Sequence, residues 1–283
     1  MNHDTPSKTA RKVALNILAL GGKPEMSGVL PPGIVDATGV LLVASKATGE
    51  KVVQWSRSSW MARLYEAFDW MMPGQFDAFA YRKAFCERQV RAGIASGATR
   101  VLVLGAGYDT MGWRLAPEFP NVRFFEVDHP TMAHLKARGI AQMGPRPNHH
   151  LIAKDLSNHG LVNVLANHEH WDSSQQAVFI AEGLLQYLSP TAARDLFRQC
   201  AAVTAKGRIA FTYIPTGEDG RPDAGPWSSL VLWLLKQSGE PWLWSIPPGQ
   251  LDGFLERSGW TNAPKLVGRY TKSGIEHYAV ATK

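Results

Sequence analysis

The stretch Val101-Leu102-Val103-Leu104-Gly105-Ala106-Gly107-Tyr108-Asp109-Thr110 decides the fold. Four consecutive apolar β-formers read as a parallel strand buried on both faces. Gly105 and Gly107 then allow a tight turn and a close approach to a ligand without a Cβ clash. A short helix is expected from Asp109-Thr110 onward, and a helix N-terminus favours negative charge or hydrogen-bond acceptors.

Downstream, residues 122–127 read as a second strand ending in Asp128, and Pro130 suits the first turn of a helix reaching Arg138. Residues 150–153 make a third strand ending at Lys154-Asp155, and residues 177–181 a fourth ending at Glu182. Ser189-Pro190 is an N-cap signature, and Ala193, Leu196, Phe197 and Cys200 share one face of the helix that follows. Gly207 is expected to stop that helix, and residues 209–213 form a fifth strand. A helix over 251–258 stops at Gly259, and two closing strands follow, the last over 277–281. This alternation predicts an α/β fold with a doubly wound, mostly parallel, seven-stranded Rossmann-like sheet. Residues 1–93 read as a helical N-terminal cap, broken at Pro31-Pro32-Gly33 and Pro73-Gly74, with an apolar run of helical spacing over 60–72. Residues 94–283 are the core, carrying a Pro- and Trp-rich insertion over 215–248 after strand five.

Composition narrows the function classes. With 45% hydrophobic and 19% charged residues among 283, disorder is excluded. The net charge of +6 is dispersed along the chain, so a nucleic-acid partner is not expected. Cys86 and Cys200 make neither a disulfide framework nor a zinc site, which points to a reducing, cytoplasmic setting. No stretch approaches the roughly 20 apolar residues of a membrane span, and no membrane partner is expected. Lys8, Arg11 and Lys12 before an apolar run superficially resemble a signal peptide, but the run is short and contains Asn16. Val13, Ile17 and Leu20 fall on one face, as in an amphipathic helix.

Four polar signals stand at four successive strand ends: the Gly105/Gly107 turn, Asp128, Asp155 and Glu182. Asp128 follows Gly105 by 23 residues, close to the ~20-residue offset at which an acid grips ribose hydroxyls. Each signal alone is weak; in register they describe a nucleoside-binding crevice. A dinucleotide fingerprint needs a third glycine where this chain has Thr110. Asp109 would repel a pyrophosphate but suits a cationic sulfonium, so the loop favours S-adenosylmethionine over NAD.

The motifs at 101–110, Trp113-Arg114-Leu115, Glu126-Val127-Asp128-His129-Pro130 and Ala181-Glu182-Gly183-Leu184 resemble the leucine carboxyl methyltransferase family, over about residues 80–213. The resemblance implies a class I S-adenosylmethionine-dependent methyltransferase fold with a helical cap. It further implies that Arg82 pairs with the methionyl carboxylate. Gly105, Gly107 and Asp109 would line the methionine portion and Asp128 would take the ribose. Asp155 with the Leu156 backbone would hold the adenine edge, and Glu182 would lie beside the amino or sulfonium end. Met111 stands where the family commonly has Arg, and Glu87 where it has Asp.

The expected activity is O-methylation, at a carboxylate or hydroxyl, of a small aromatic or polyketide-like metabolite of secondary metabolism. The rivals are a tRNA-modifying or protein C-terminal carboxyl methyltransferase of the same fold, and an NAD-dependent oxidoreductase. A carboxylate acceptor needs no general base; for a hydroxyl, Tyr187 and Tyr213 are the catalytic candidates. The insertion holds four of the ten tryptophans, Trp227, Trp233, Trp242 and Trp244. As a substrate lid it would contribute Trp227 and Trp233, with Tyr213, to acceptor binding. The alternative is a buried helix or a homodimer surface around Leu230 to Leu235. His149-His150 and the His168-x-His170 pair lack metal-ligand spacing, and no metal is expected.

Overall fold

The structure, a computed structural model, describes residues 7–283 except 68, 157–159 and 270–271. Its sheet contains β1 (Arg100–Leu104), β2 (Arg123–Asp128), β3 (His149–Ala153), β4 (Ala177–Ala181), β5 (Gly207–Tyr213), β6 (Thr261–Asn262), β7 (Lys272–Ser273) and β8 (Glu276–Thr282). The order is β3-β2-β1-β4-β5-β8-β6, with β7 paired to β8 as a short hairpin. The first five strands run parallel, and β8 enters antiparallel between β5 and β6. The expected seven strands are the seven along this path.

The helices are α1 (Lys8–Leu20), α2 (Ile34–Ala44), α3 (Glu50–Ser56), α4 (Ser59–Ala67), α5 (Gln75–Ala95), α6 (Met111–Leu115), α7 (Pro130–Met143), α8 (Leu161–Ala166), α9 (Pro190–Ala202), α10 (Ser228–Gln237), α11 (Leu251–Glu256) and α12 (Pro264–Val267). Strand alternation splits the core into two layers. Leu102, Leu104, Phe125, Val127, Phe179 and Phe211 face α8, α9 and α11. Val101, Val103, Phe124, Val178 and Ile180 face Phe85, Cys86 and Val90 of α5. Ser189 caps α9 by accepting from the Ala192 amide at 3.1 Å, and Ala193, Leu196, Phe197 and Cys200 are buried.

Several expectations are corrected. The expected cap boundary at residue 93 falls in the last turn of α5, which packs both ways: Phe85, Cys86 and Val90 join the sheet core, while Phe76 and Ala80 join Ile17 and Leu20 of α1 and Met61 and Ala62 of α4. Helix α9 ends at Ala202, not Gly207; Gly207 opens β5, where a Cβ would lie 2.8 Å from Thr204 Cγ2. Helix α7 continues past Arg138 to Met143. The apolar run over 60–72 divides into α4 and a 3-10 turn at Asp69–Met71, with Phe68 outside the described residues.

Candidate functional site

Strand order reverses at β1, between β2 and β4, and the crevice at its carboxyl end opens into a cavity of about 1080 Å³. Gly105, Gly107, Asp109, Asp128, Asp155, Leu156, Glu182 and Arg82 all line it. Gly105 and Gly107 have φ of +63° and +48°, a backbone region costly to residues with a Cβ. A Cβ on Gly105 would sit 2.8 Å from Leu184 Cδ1. Asp128 fastens this turn: its Oδ2 accepts from the Gly107 amide at 2.6 Å and its Oδ1 from the His129 amide at 2.7 Å. Burial pushes the Asp128 carboxyl above its ordinary value, against the pull of those two amides.

The end of the cavity expected to take the methionine portion brings in two charged residues that the sequence reading did not name. Lys83, also in the cavity wall, is paired with Asp109 and reaches Glu182 Oε1 at 3.0 Å. Arg82 Nε donates to Glu182 Oε1 at 2.8 Å and its Nη1 to Glu276 Oε1 at 2.6 Å. The guanidinium expected to meet a ligand carboxylate is therefore already held by two protein carboxylates. Burial opposes charging of Lys83, but Asp109 and Glu182 more than offset it and hold the ammonium above its ordinary value. Asp109 is held well below the carboxylate range: burial raises it, and Lys83 with the Met111 amide lowers it further. Burial pushes Glu276 up, opposed by Arg82. The Arg82-Lys83 doublet within a sheet-packed helix, and Glu276 at the head of the closing strand, were the available signals.

Three carboxylates thus face two cations at the methionine end, a surplus of negative charge that suits a sulfonium and an ammonium. The Gly107 turn is tight, since a Cβ there would lie 3.2 Å from the Cβ of Ala10. These groups fit S-adenosylmethionine. A family model described as leucine carboxyl methyltransferase matches residues 30–201. The chain belongs to the leucine carboxyl methyltransferase family.

Relatives agree with this assignment. The chain is 31% identical over 227 residues to a Mycolicibacterium paratuberculosis protein named as an S-adenosyl-L-methionine-dependent methyltransferase, covering 71% of this chain and 68% of that one. A similarly named Mycobacterium tuberculosis protein is 30% identical over 186 residues, covering 64% of this chain and 49% of its relative, so the chain spans about half of that protein. The crystal structure of a Thermobifida fusca methyltransferase shares the fold, with TM-score 0.59 and 15% identity over 92% of this chain and 97% of that one. This leucine carboxyl methyltransferase family member is an S-adenosylmethionine-dependent methyltransferase, and the NAD reading falls away.

The acceptor candidates fare differently. Tyr187 lines the cavity, and burial holds its hydroxyl above its ordinary value. Tyr213 does not line it; it is buried beside Phe211 and His277. Trp227 and Trp233 are exposed outside it, because α10 turns Val231 and Leu235 inward. Trp244 belongs to the core, and the insertion meets the cavity only at Gln237 to Glu240. Glu240 accepts from Ser7 Oγ at 2.8 Å and the Thr9 amide at 3.1 Å, tying the start of α1 over the opening. The rings of His150, His168 and His170 gather with centroids 4.6–5.9 Å apart, against Phe125 and away from the cavity lining.

Proposed function

We propose that the chain transfers the donor's methyl group to an oxygen of a small, largely apolar molecule, with an aromatic or polyketide-like carboxylic acid the favoured class. The observation that carries this reading is the two-sided lining of the cavity. One side holds the charged set of Arg82, Lys83, Asp109, Asp128 and Glu182; the other holds Val13, Ala14, Ile17, Ile34 and Tyr187. The volume of about 1080 Å³ slightly exceeds the roughly 300–1,000 Å³ common for single-ligand sites, enough for a donor and a small acceptor together.

When bound, S-adenosylmethionine supplies an electrophilic methyl group for in-line displacement. Asp128, at the carboxyl end of β2, is placed to accept ribose hydroxyls, and Asp155 with Leu156 to flank the adenine. Arg82, Lys83, Asp109 and Glu182 orient the methionine end. The chain's contribution is then alignment and exclusion of water. A carboxylate acceptor is ionised at neutral pH and needs no base, in keeping with Tyr187, whose raised hydroxyl keeps its proton and serves as a hydrogen-bonding group.

The test is methyl transfer from isotopically labelled donor to a panel of aromatic carboxylic acids and phenols. Label released by mild alkali as methanol identifies a methyl ester. Alkali-stable label on a phenol moves the acceptor to a hydroxyl, and label on nitrogen or carbon overturns the reading.

A further inference from the structure

Helix α10 has an unusual position for its sequence. Residues 230–235 read Leu-Val-Leu-Trp-Leu-Leu, yet Val231 is its single buried residue. Trp227, Leu230, Trp233 and Leu234 are 48%, 41%, 55% and 43% exposed, and their spacing places them on one outward face. Trp70, 55% exposed, extends that face through an edge-on contact with Trp227 at 5.6 Å. A helix apolar all round belongs in apolar surroundings, which water does not supply.

Positive charge stands at the C-terminal end of this helix. Lys236 is in its last turn, and the Glu240 clasp fixes the start of α1, with exposed Lys8, Arg11 and Lys12, beside it. At the other end Arg221 is paired with Asp219 at 2.7 Å, and Asp223 accepts from Ser228 Oγ at 3.4 Å, so the positive charge is confined to the C-terminal end. Gln237 to Glu240, Lys8 and Thr9 also rim the cavity. An exposed apolar helix face with tryptophans, with cations gathered at one end, has the chemistry of an interfacial membrane helix. Its 10 residues are too few to span a bilayer.

We propose that this face rests on an anionic lipid bilayer. The outward residues of α10 enter the headgroup boundary, the α1 cations meet lipid phosphates, and the cavity mouth opens at the membrane surface. A second copy of the chain is the competing occupant, and a concentration-dependent dimer would reveal it. The inference does not depend on the identity of the acceptor.

The test is sedimentation of the full chain with phosphatidylcholine vesicles, with and without phosphatidylglycerol, read together with tryptophan fluorescence. Binding to the anionic vesicles, weakened by salt and accompanied by a blue shift, is expected. Trp233→Ser/Leu234→Ser should weaken it at least about tenfold, and Arg11→Glu/Lys12→Glu should abolish the preference for anionic lipid. Both variants should keep wild-type affinity for S-adenosylhomocysteine, since none of the four residues lines the cavity. If the apolar variant fails to fold, wild-type binding and the charge variant decide. No binding to anionic vesicles, or binding indifferent to both variants, overturns the proposal. So does a concentration-dependent dimer that Trp233→Ser/Leu234→Ser dissolves in the absence of vesicle binding.

Discussion

Asp128 is the hinge between the turn after β1 and the start of α7, because each of its oxygens accepts one backbone amide, from Gly107 and from His129. Its remaining acceptor capacity faces the cavity. Asp128→Ala should therefore weaken S-adenosylhomocysteine binding by about 1–3 kcal/mol, a rise in Kd of roughly 5- to 150-fold. Unchanged affinity by titration calorimetry would remove Asp128 from the donor site. Lys83 serves stability as well as binding. Replacing it by Met leaves Asp109 buried without its cation, and loss of one partner of a buried pair costs about 3–5 kcal/mol. Urea denaturation of Lys83→Met should show that loss, and Lys83→Met/Asp109→Asn should recover part of it. A double variant no more stable than the single one would assign the lysine's contribution to packing instead.

Helix α5 approaches β4 so closely that a Cβ on Gly93 would lie 2.2 Å from Val178 Cγ2. Val178 is fully buried and β-branched, so it has little freedom to retreat. Gly93→Ala should cost about 1–3 kcal/mol, read as a lowered Tm; a wild-type Tm would show that α5 can shift outward. The parallel strands were legible in the sequence because burial on both faces leaves continuous apolar runs, and the carboxylates that line the cavity because they punctuate those runs. Gly207 misled because a glycine can stop a helix or fit a crowded strand start, and only the neighbouring Thr204 and Trp260 distinguish the two. The insertion was ambiguous in a different way: its apolar density left a lid, a buried helix or a dimer surface open, and α10 lies on the surface. The signals at Lys83 and Glu276 could not be paired from the sequence because their partners are distant in it; Glu276 meets Arg82 across 194 positions.

Across the whole molecule, pH acts through groups whose protonation differs between folded and unfolded chains. Burial, with His170, His168 and Arg123 nearby, lowers His150 from an ordinary 6.5 to about 4. Between those values the unfolded chain takes up a proton that the folded chain refuses, so stability is complete above 6.5 and declines as pH falls toward 4. His150→Gln should flatten the dependence of Tm on pH across that window; an unchanged slope would exclude His150 as its source. Glu126 adds to the decline at still lower pH. Burial alone would raise its carboxyl, but Lys136 and His149 hold it below the ordinary 4.5, and that stabilisation disappears as acid protonates it. The placement of β8 between β5 and β6, both of which precede it in the chain, has a consequence in time. Translation delivers the N-terminal elements first. The slot in the sheet stays open until β8 leaves the ribosome, and Arg82 waits that long for Glu276. The charged cluster around Arg82 is therefore completed by a strand synthesised after Arg82, Lys83, Asp109 and Glu182, and a nascent chain halted before residue 276 carries both glycines of the β1 turn without Glu276.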